Sequence, residues 1–323
     1  MDQEVLYIRF HANGAINDAI AGYDTRTGAQ TTPTTNEVLE LKTDFAANGG
    51  GIYIASLTTG RVERYSPAMA LTNTSPVVAN LSIAKMAINP VSSEVYLWTC
   101  DATGAKFAIL DSLLGGVSSV ILPDYLNLPS GSSLSYENMR IEVSRDGSRV
   151  GFFQATGTMI LYSIWTTNPI GEVASRSFSF VVNPPTYSVS PIDQKDFLLN
   201  VVAAGGKSYL FALSSPLFEP NGKGSDLGLQ VSYDGFGRIW TMGQDNTSSG
   251  DKNATIAKRN SEGENLANLL LNRSPAYLDV TNHRGGKRCL HFDPVNKKVL
   301  AVTMSGTTVG IYTLVSYSFD ASY

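Results

Sequence analysis

The sequence predicts an all-β chain, a β-propeller of seven (or six) four-stranded antiparallel blades forming one domain over residues 1–323. Three observations predict it. A strand–turn–strand unit, Ile141 to Phe153, joins Ile141 and Val143 to Val150, Phe152 and Phe153 through Asp146-Gly147. Glycine takes positive φ without cost and aspartate tolerates it, so the flanking strands fold back as an antiparallel hairpin. The unit then recurs along the chain, and its copies are spaced as four short strands and their turns require. Aligned on Thr43, Asn89, Ser144, Ser190, Ser232 and Asp293, the spacings are 46, 55, 46, 42 and 61 residues.

Taken in order, Val5 to Phe10 and Ile20 to Gly28 form a partial blade. Lys42-Thr43-Asp44 is a loose copy of the turn before the strand Gly51 to Ile54, and Ile88-Asn89-Pro90 precedes Val95 to Trp98. Val189 to Asp193 leads into Phe197-Leu198-Leu199, Val231 to Gly235 into Arg238-Ile239-Trp240, and Phe292-Asp293-Pro294 into Val299 to Val302. A third strand follows each hairpin at Arg61–Tyr65, Lys106–Leu110, Met159–Tyr162, Tyr209–Leu213 and Val309–Tyr312. The stretches 126–133 and 245–253 are polar and turn-forming, which predicts exposed loops. Glu264 to Asn272 holds good helix formers but is short enough to be a helical turn or an outer strand. The final strand, Ile311 to Phe319, is expected beside residues 4–10, because a ring must hide its two terminal sheet edges.

Residues 20–28, an apolar strand running into Tyr23-Asp24-Thr25-Arg26-Thr27-Gly28, resemble blades of the lactonase-like and quinoprotein-like propellers. The hairpins above share that look. The resemblance implies a propeller and leaves the activity open.

Composition narrows the functional classes. A net charge of −4 and a pI near 5.4 speak against a dedicated nucleic-acid binder, which would carry a basic face. Only 16% of residues are charged, so the surface is neutral and polar, rich in Ser, Thr, Asn and Gly. Cys100 and Cys289 each fall in an expected strand and read as small core residues. Met1 to Tyr7 holds no basic segment followed by an apolar one, so export by an ordinary signal peptide is not expected. No apolar run has the length of a membrane span.

Chemical motifs are sparse. Gly205-Gly206-Lys207-Ser208 lacks the upstream glycine of a phosphate loop, that position being Val201, and it lies between two strands. Asp245 to Gly250 has alternating oxygen side chains, but a helix-flanked calcium loop would need a glutamate where Ile256 stands. His11, His283 and His291 show no metal-ligand spacing, and no Gly-x-Ser-x-Gly elbow occurs. The one concentration of charge is Arg284, Lys287 and Arg288, a candidate contact for an acidic partner.

The expectation is a non-enzymatic structural propeller with no cofactor and no metal. Its partners are other protein subunits, in a homo-oligomer or ring, and nucleic acid only by passage or weak contact. It is similar in look to the propeller-bearing nozzle or tail proteins of tailed bacteriophages, which implies a place in a virion; the alternative is a cytoplasmic protein. A second reading is a lactonase-like metal-dependent hydrolase, with Asp44, Asn89 and Asp293 as candidates at the inner strand ends. A third is a peptide- or glycan-binding propeller anchored by Tyr187, Tyr233 and Phe236.

Overall fold

The structure, a computed structural model, describes residues 5–11, 18–31, 35–39, 45–48, 51–56, 58–79, 81, 84–101, 104–127, 139–156, 159–179, 186–192, 195–202, 208–213, 230–234, 237–244, 254–260, 265–271, 274–275, 290–293, 297–304 and 312–318. These residues form 26 strands in seven antiparallel sheets, with one short 3-10 turn at Asp124–Leu126.

The chain divides into two compact units, 1–24 with 29–154 and 161–177, and 25–28 with 155–160 and 178–323. The first unit starts with a three-stranded sheet of β1 (Val5–His11), β2 (Asp18–Asp24) and β3 (Thr35–Leu39). A four-stranded sheet follows, β4 (Phe45–Asn48), β5 (Gly51–Ser56), β6 (Arg61–Tyr65) and β7 (Leu71–Thr74). The next is β8 (Lys85–Ile88), β9 (Val95–Asp101), β10 (Gly104–Leu110) and β11 (Val117–Ile121). The fourth is β12 (Met139–Val143), β13 (Arg149–Thr156), β14 (Met159–Thr167) and β15 (Ile170–Ser179). In all four, strand order follows chain order, and β8 lies against both β4 and β12, so the first strands of successive sheets are neighbours.

The second unit repeats the plan with β16 (Thr186–Ile192), β17 (Asp196–Val202) and β18 (Ser208–Ala212), then β19 (Gln230–Tyr233), β20 (Ile239–Gln244), β21 (Ala254–Arg259) and β22 (Asn265–Leu271). Its last sheet holds β23 (Ser274–Pro275), β24 (Leu290–Asp293), β25 (Lys298–Met304) and β26 (Tyr312–Ser318). Here β23 and β24 share one edge of β25, and β26 takes the other. First strands again adjoin, β19 lying against β16 and β24. The Lys298 ammonium donates to the carbonyls of Thr25 and Arg26, which joins residues 25–28 to this unit. β26 pairs with β25, and β1 pairs with β2.

The second strand of a sheet is buried on both faces, which explains why these strands read as unbroken apolar runs instead of alternating ones. On β9, Val95 and Leu97 face a cluster with Tyr53, Val62 and Leu110, while Tyr96 and Trp98 face another with Phe107, Ile141 and Phe152. On β5 the same division puts Ile52 and Ile54 with Ile20, and Tyr53 and Ala55 with Leu97. Tyr96, Phe107, Phe152 and Trp98 form a chain of edge-to-face contacts at centroid distances of 5.2, 5.2 and 5.5 Å. Each such pair adds about 0.5–1.5 kcal/mol beyond the area it buries.

Two of the alignment anchors, Ser190 and Ser232, fall inside a strand and not at the turn itself. Asn48 pairs with Gly51 where β4 meets β5, while the expected turn Lys42-Thr43-Asp44 lies outside the described residues. Ser232 pairs with Trp240 inside β19, and the turn begins at Asp234, whose N–H donates to the Arg238 carbonyl. Ser190 likewise pairs with Leu198 within β16.

Candidate interaction surface

The inner hairpin turns at Asn89 and Ser144 are held by side chains that bond into the fold. Asn89 is buried; its Oδ1 accepts from the Val91 and Ser92 N–H groups at 2.9 and 3.2 Å. Its Nδ2 donates to the Tyr96 hydroxyl at 2.8 Å and to the Gly147 carbonyl at 2.9 Å, in the turn of the next sheet. Gly147 has φ +71°, and a Cβ there would stand 2.3 Å from Asn89 Oδ1, so only glycine fits this crossing. Thr167 Oγ1 donates to the same carbonyl at 2.9 Å. In the hairpin itself, Ser144 Oγ accepts from the Arg149 N–H and Asp146 accepts from both the Ser148 N–H and hydroxyl. Burial pushes the Tyr96 phenol above its ordinary pKa, so it stays a neutral link in this network.

The equivalent turn after β19 uses charge. Asp234 Oδ2 accepts from Arg238 Nε at 2.5 Å and from the Trp240 indole at 3.1 Å, with the Asp234 side chain fully enclosed. Asp293 is also fully buried.

A third network, invisible in the sequence, ties the 3-10 turn to β14 and β15. Glu172 accepts from the Tyr125 hydroxyl and, at 2.6 Å, from Ser163 Oγ, which itself accepts from the Trp165 indole at 2.8 Å. Burial raises the Glu172 pKa, but the bonds from Ser163, Tyr125 and Ser175 outweigh it and hold the carboxyl below its usual range. Tyr125 is pushed up, by burial and by its bond to Glu172.

Three of the outermost strands are the opposite of the turns. β7 reads Leu-Thr-Asn-Thr, β11 Val-Ser-Ser-Val-Ile and β22 Asn-Leu-Ala-Asn-Leu-Leu-Leu, and none of the three carries a charge. Each presents large aliphatic surface: Leu71 is 54% exposed, Ile121 66%, Leu266 53% and Leu269 39%. On β22, residues 265–269 are all exposed. Among the described residues, no strand pairs with the far edge of β7, β11 or β22. Exposed sheet edges are ordinarily blunted with lysine, proline or inward charge, because their unpaired N–H and C=O groups template another strand. These three lack all of those devices.

The sequence-derived candidates fare differently. Arg284, Lys287 and Arg288 lie in 276–289, outside the described residues, as do His283, Cys289, Asp44, Phe236, 128–138 and 245–253. Tyr187 and Tyr233 are buried, at 9% exposure each, and Tyr233 packs with Leu198, Val231 and Ile239, so neither anchors a ligand from the surface. Of the stretch Glu264 to Asn272, residues Asn265–Leu271 form a strand, β22, and not a helical turn, while 264 and 272 lie outside the described residues. Ser208 opens the strand β18, so the Gly-Gly-Lys-Ser stretch leads into no helix. Among the described residues, no group of three His, Cys, Asp or Glu side chains could hold a metal ion. No helix among them is long and apolar enough to cross a membrane.

No known sequence family and no curated protein matches the chain. Solved structures do. The chain is similar to the β-propeller domain of Cps50 (Swd1) from Myceliophthora thermophila at 11% identity and TM-score 0.57, over 98% of this chain and 96% of that one. It is similar to a putative TolB from Agrobacterium tumefaciens at 13% identity and TM-score 0.51, over 95% and 100%. It is also similar to prolyl oligopeptidase B from Galerina marginata at 10% identity and TM-score 0.58, over the whole of this chain and 50% of that one. At these identities the likeness is one of fold alone: the protein is a β-propeller.

Proposed function

We propose that this propeller is a non-enzymatic structural and interaction protein, one domain over residues 1–323, that works as a subunit of a larger assembly. The observation that carries the reading is the set of uncharged outermost strands, β7, β11 and β22, each with exposed leucine or isoleucine. Such edges bind by strand addition or by apolar contact, and other protein subunits are the partners they suit. A homo-oligomer or ring follows from the same neutrality, since copies of an uncharged strand do not repel one another. Arg284, Lys287 and Arg288 would add a contact for an acidic surface.

The particular assembly we favour is a virion, with the chain in a tail or nozzle of the tailed-bacteriophage kind. The support is compositional: few charges, abundant Ser, Thr, Asn and Gly, and a mildly acidic balance that lets nucleic acid pass without holding it. Size-exclusion chromatography with light scattering, followed by mass spectrometry of the native complex, tests both levels. The reading expects a defined oligomer and recovery of the chain in particles. A monomer at every concentration, never recovered with other subunits, would overturn it.

A further inference from the structure

The three uncharged outermost strands differ in how much they offer a partner. β22, Asn265-Leu266-Ala267-Asn268-Leu269-Leu270-Leu271, has seven residues against four in β7 and five in β11. It ends its sheet among the described residues, and residues 265–269 are all exposed. A longer open edge presents more backbone N–H and C=O groups to an added strand, and its leucines gain by leaving water.

The order of its residues selects what that strand is. Paired residues of two antiparallel strands share a sheet face and neighbours along a strand alternate, so two copies related by a two-fold axis meet only where one residue faces itself. Centred on Ala267, the pairing sets Leu266 opposite Asn268 and Asn265 opposite Leu269. Centred on Leu269, it sets Asn268 opposite Leu270. Centred on Asn268, it sets Ala267 opposite Leu269, Leu266 opposite Leu270, and asparagine opposite asparagine. That register alone matches apolar with apolar and amide with amide through the middle of the strand. A single facing asparagine pair in an apolar contact fixes register, because any slip buries an amide against a hydrocarbon.

Charge does not oppose it. The nearest cations on the neighbouring strand, Lys258 and Arg259 of β21, pair with Ala267 and Asn265. Across a joined edge the same cations of two copies stand at least three strand spacings apart, about 14 Å, where physiological salt screens them. We propose that β22 pairs antiparallel with β22 of a second copy about a two-fold axis at Asn268, joining the two β19–β22 sheets into one of eight strands. This pairing rests on the assembly reading above, and it names the edge, the partner and the register.

The test compares Asn268→Cys with Ser119→Cys, a cysteine on the exposed strand β11, each in the full chain with the wild type as control for Cys100 and Cys289. Residues facing each other across antiparallel strands have Cα atoms about 4.5–5.5 Å apart, within disulfide reach. Mild oxidation links the Asn268→Cys chains at least tenfold faster than the Ser119→Cys chains, and mass spectrometry finds the 268–268 peptide pair. Asn268→Asp, which sets two carboxylates face to face, lowers the mass seen by light scattering with an unchanged unfolding midpoint. An oligomer that does not link at 268, that links equally at 119, or that keeps its mass with Asn268→Asp overturns the pairing and leaves the assembly reading standing. A monomer at every concentration overturns both.

Discussion

The inner turns and three outermost strands of this propeller, β7, β11 and β22, use their polar groups in opposite ways. At Asn89, Ser144 and Asp234 the polar side-chain atoms are turned inward, onto backbone and side-chain groups of their own hairpin and, for Asn89, onto the backbone of the next. At β7, β11 and β22 the backbone edge is left open and the side chains are neutral. The difference separates what folds the chain from what it offers to others. Buried polar groups bonded in this way specify one arrangement of the turns. The hydrolase reading needed groups such as Asn89 to face a substrate, yet Asn89 spends both amide hydrogens and its oxygen on the fold.

Substitutions can break this comparison in order of size. The largest effect is expected for Asp234→Ala, which strands the buried Arg238 guanidinium and the Trp240 indole: about 3–5 kcal/mol of unfolding free energy, read by urea denaturation. Asn89→Ala leaves the Gly147 carbonyl with Thr167 alone and opens the β8–β9 turn, for about 2–3 kcal/mol. Gly147→Ala costs about 1–2 kcal/mol for its left-handed backbone alone, with the collision against Asn89 added. In an Asn89→Ala background that collision disappears, so the two changes together cost less than their sum.

A smaller effect is expected from Glu172. Its folded pKa is depressed, so it contributes stability that is fully present above the unfolded carboxylate range and is lost as pH falls through the folded value. Between pH 6 and pH 3 the wild type should lose more stability than Glu172→Gln, by less than about 1 kcal/mol because the group is exposed. Unfolding midpoints at a series of pH values check it; parallel curves for the two proteins would show that the network carries no linkage.

Much of the fold was legible because apolar runs and turn residues recur at blade spacing, and strands such as Arg61–Tyr65 and Met159–Thr167 fall where the pattern put them. The turn anchors were harder. Moving the anchor from Ser232 to Asp234 shifts it by two residues, and a two-residue shift keeps every side chain on the same sheet face. Burial patterning therefore cannot distinguish the two. The Asn89–Gly147 crossing joins residues 58 apart, and the Tyr125–Glu172 contact residues 47 apart, so neither leaves a local trace. The open edge of β22 did leave one: seven residues without a charge, whose leucines and alanine suit a helix as well as a strand.

Light scattering on the wild type beside the Leu266→Lys, Leu269→Lys double variant tests the central claim most directly. Both leucines are exposed, so folding stability should move by no more than about 0.5 kcal/mol per site. The account predicts a wild-type oligomer that the two lysines reduce to a smaller species with an unchanged unfolding midpoint. A wild type that is monomeric at high concentration, or an oligomer that keeps its mass with both lysines in place, would contradict it.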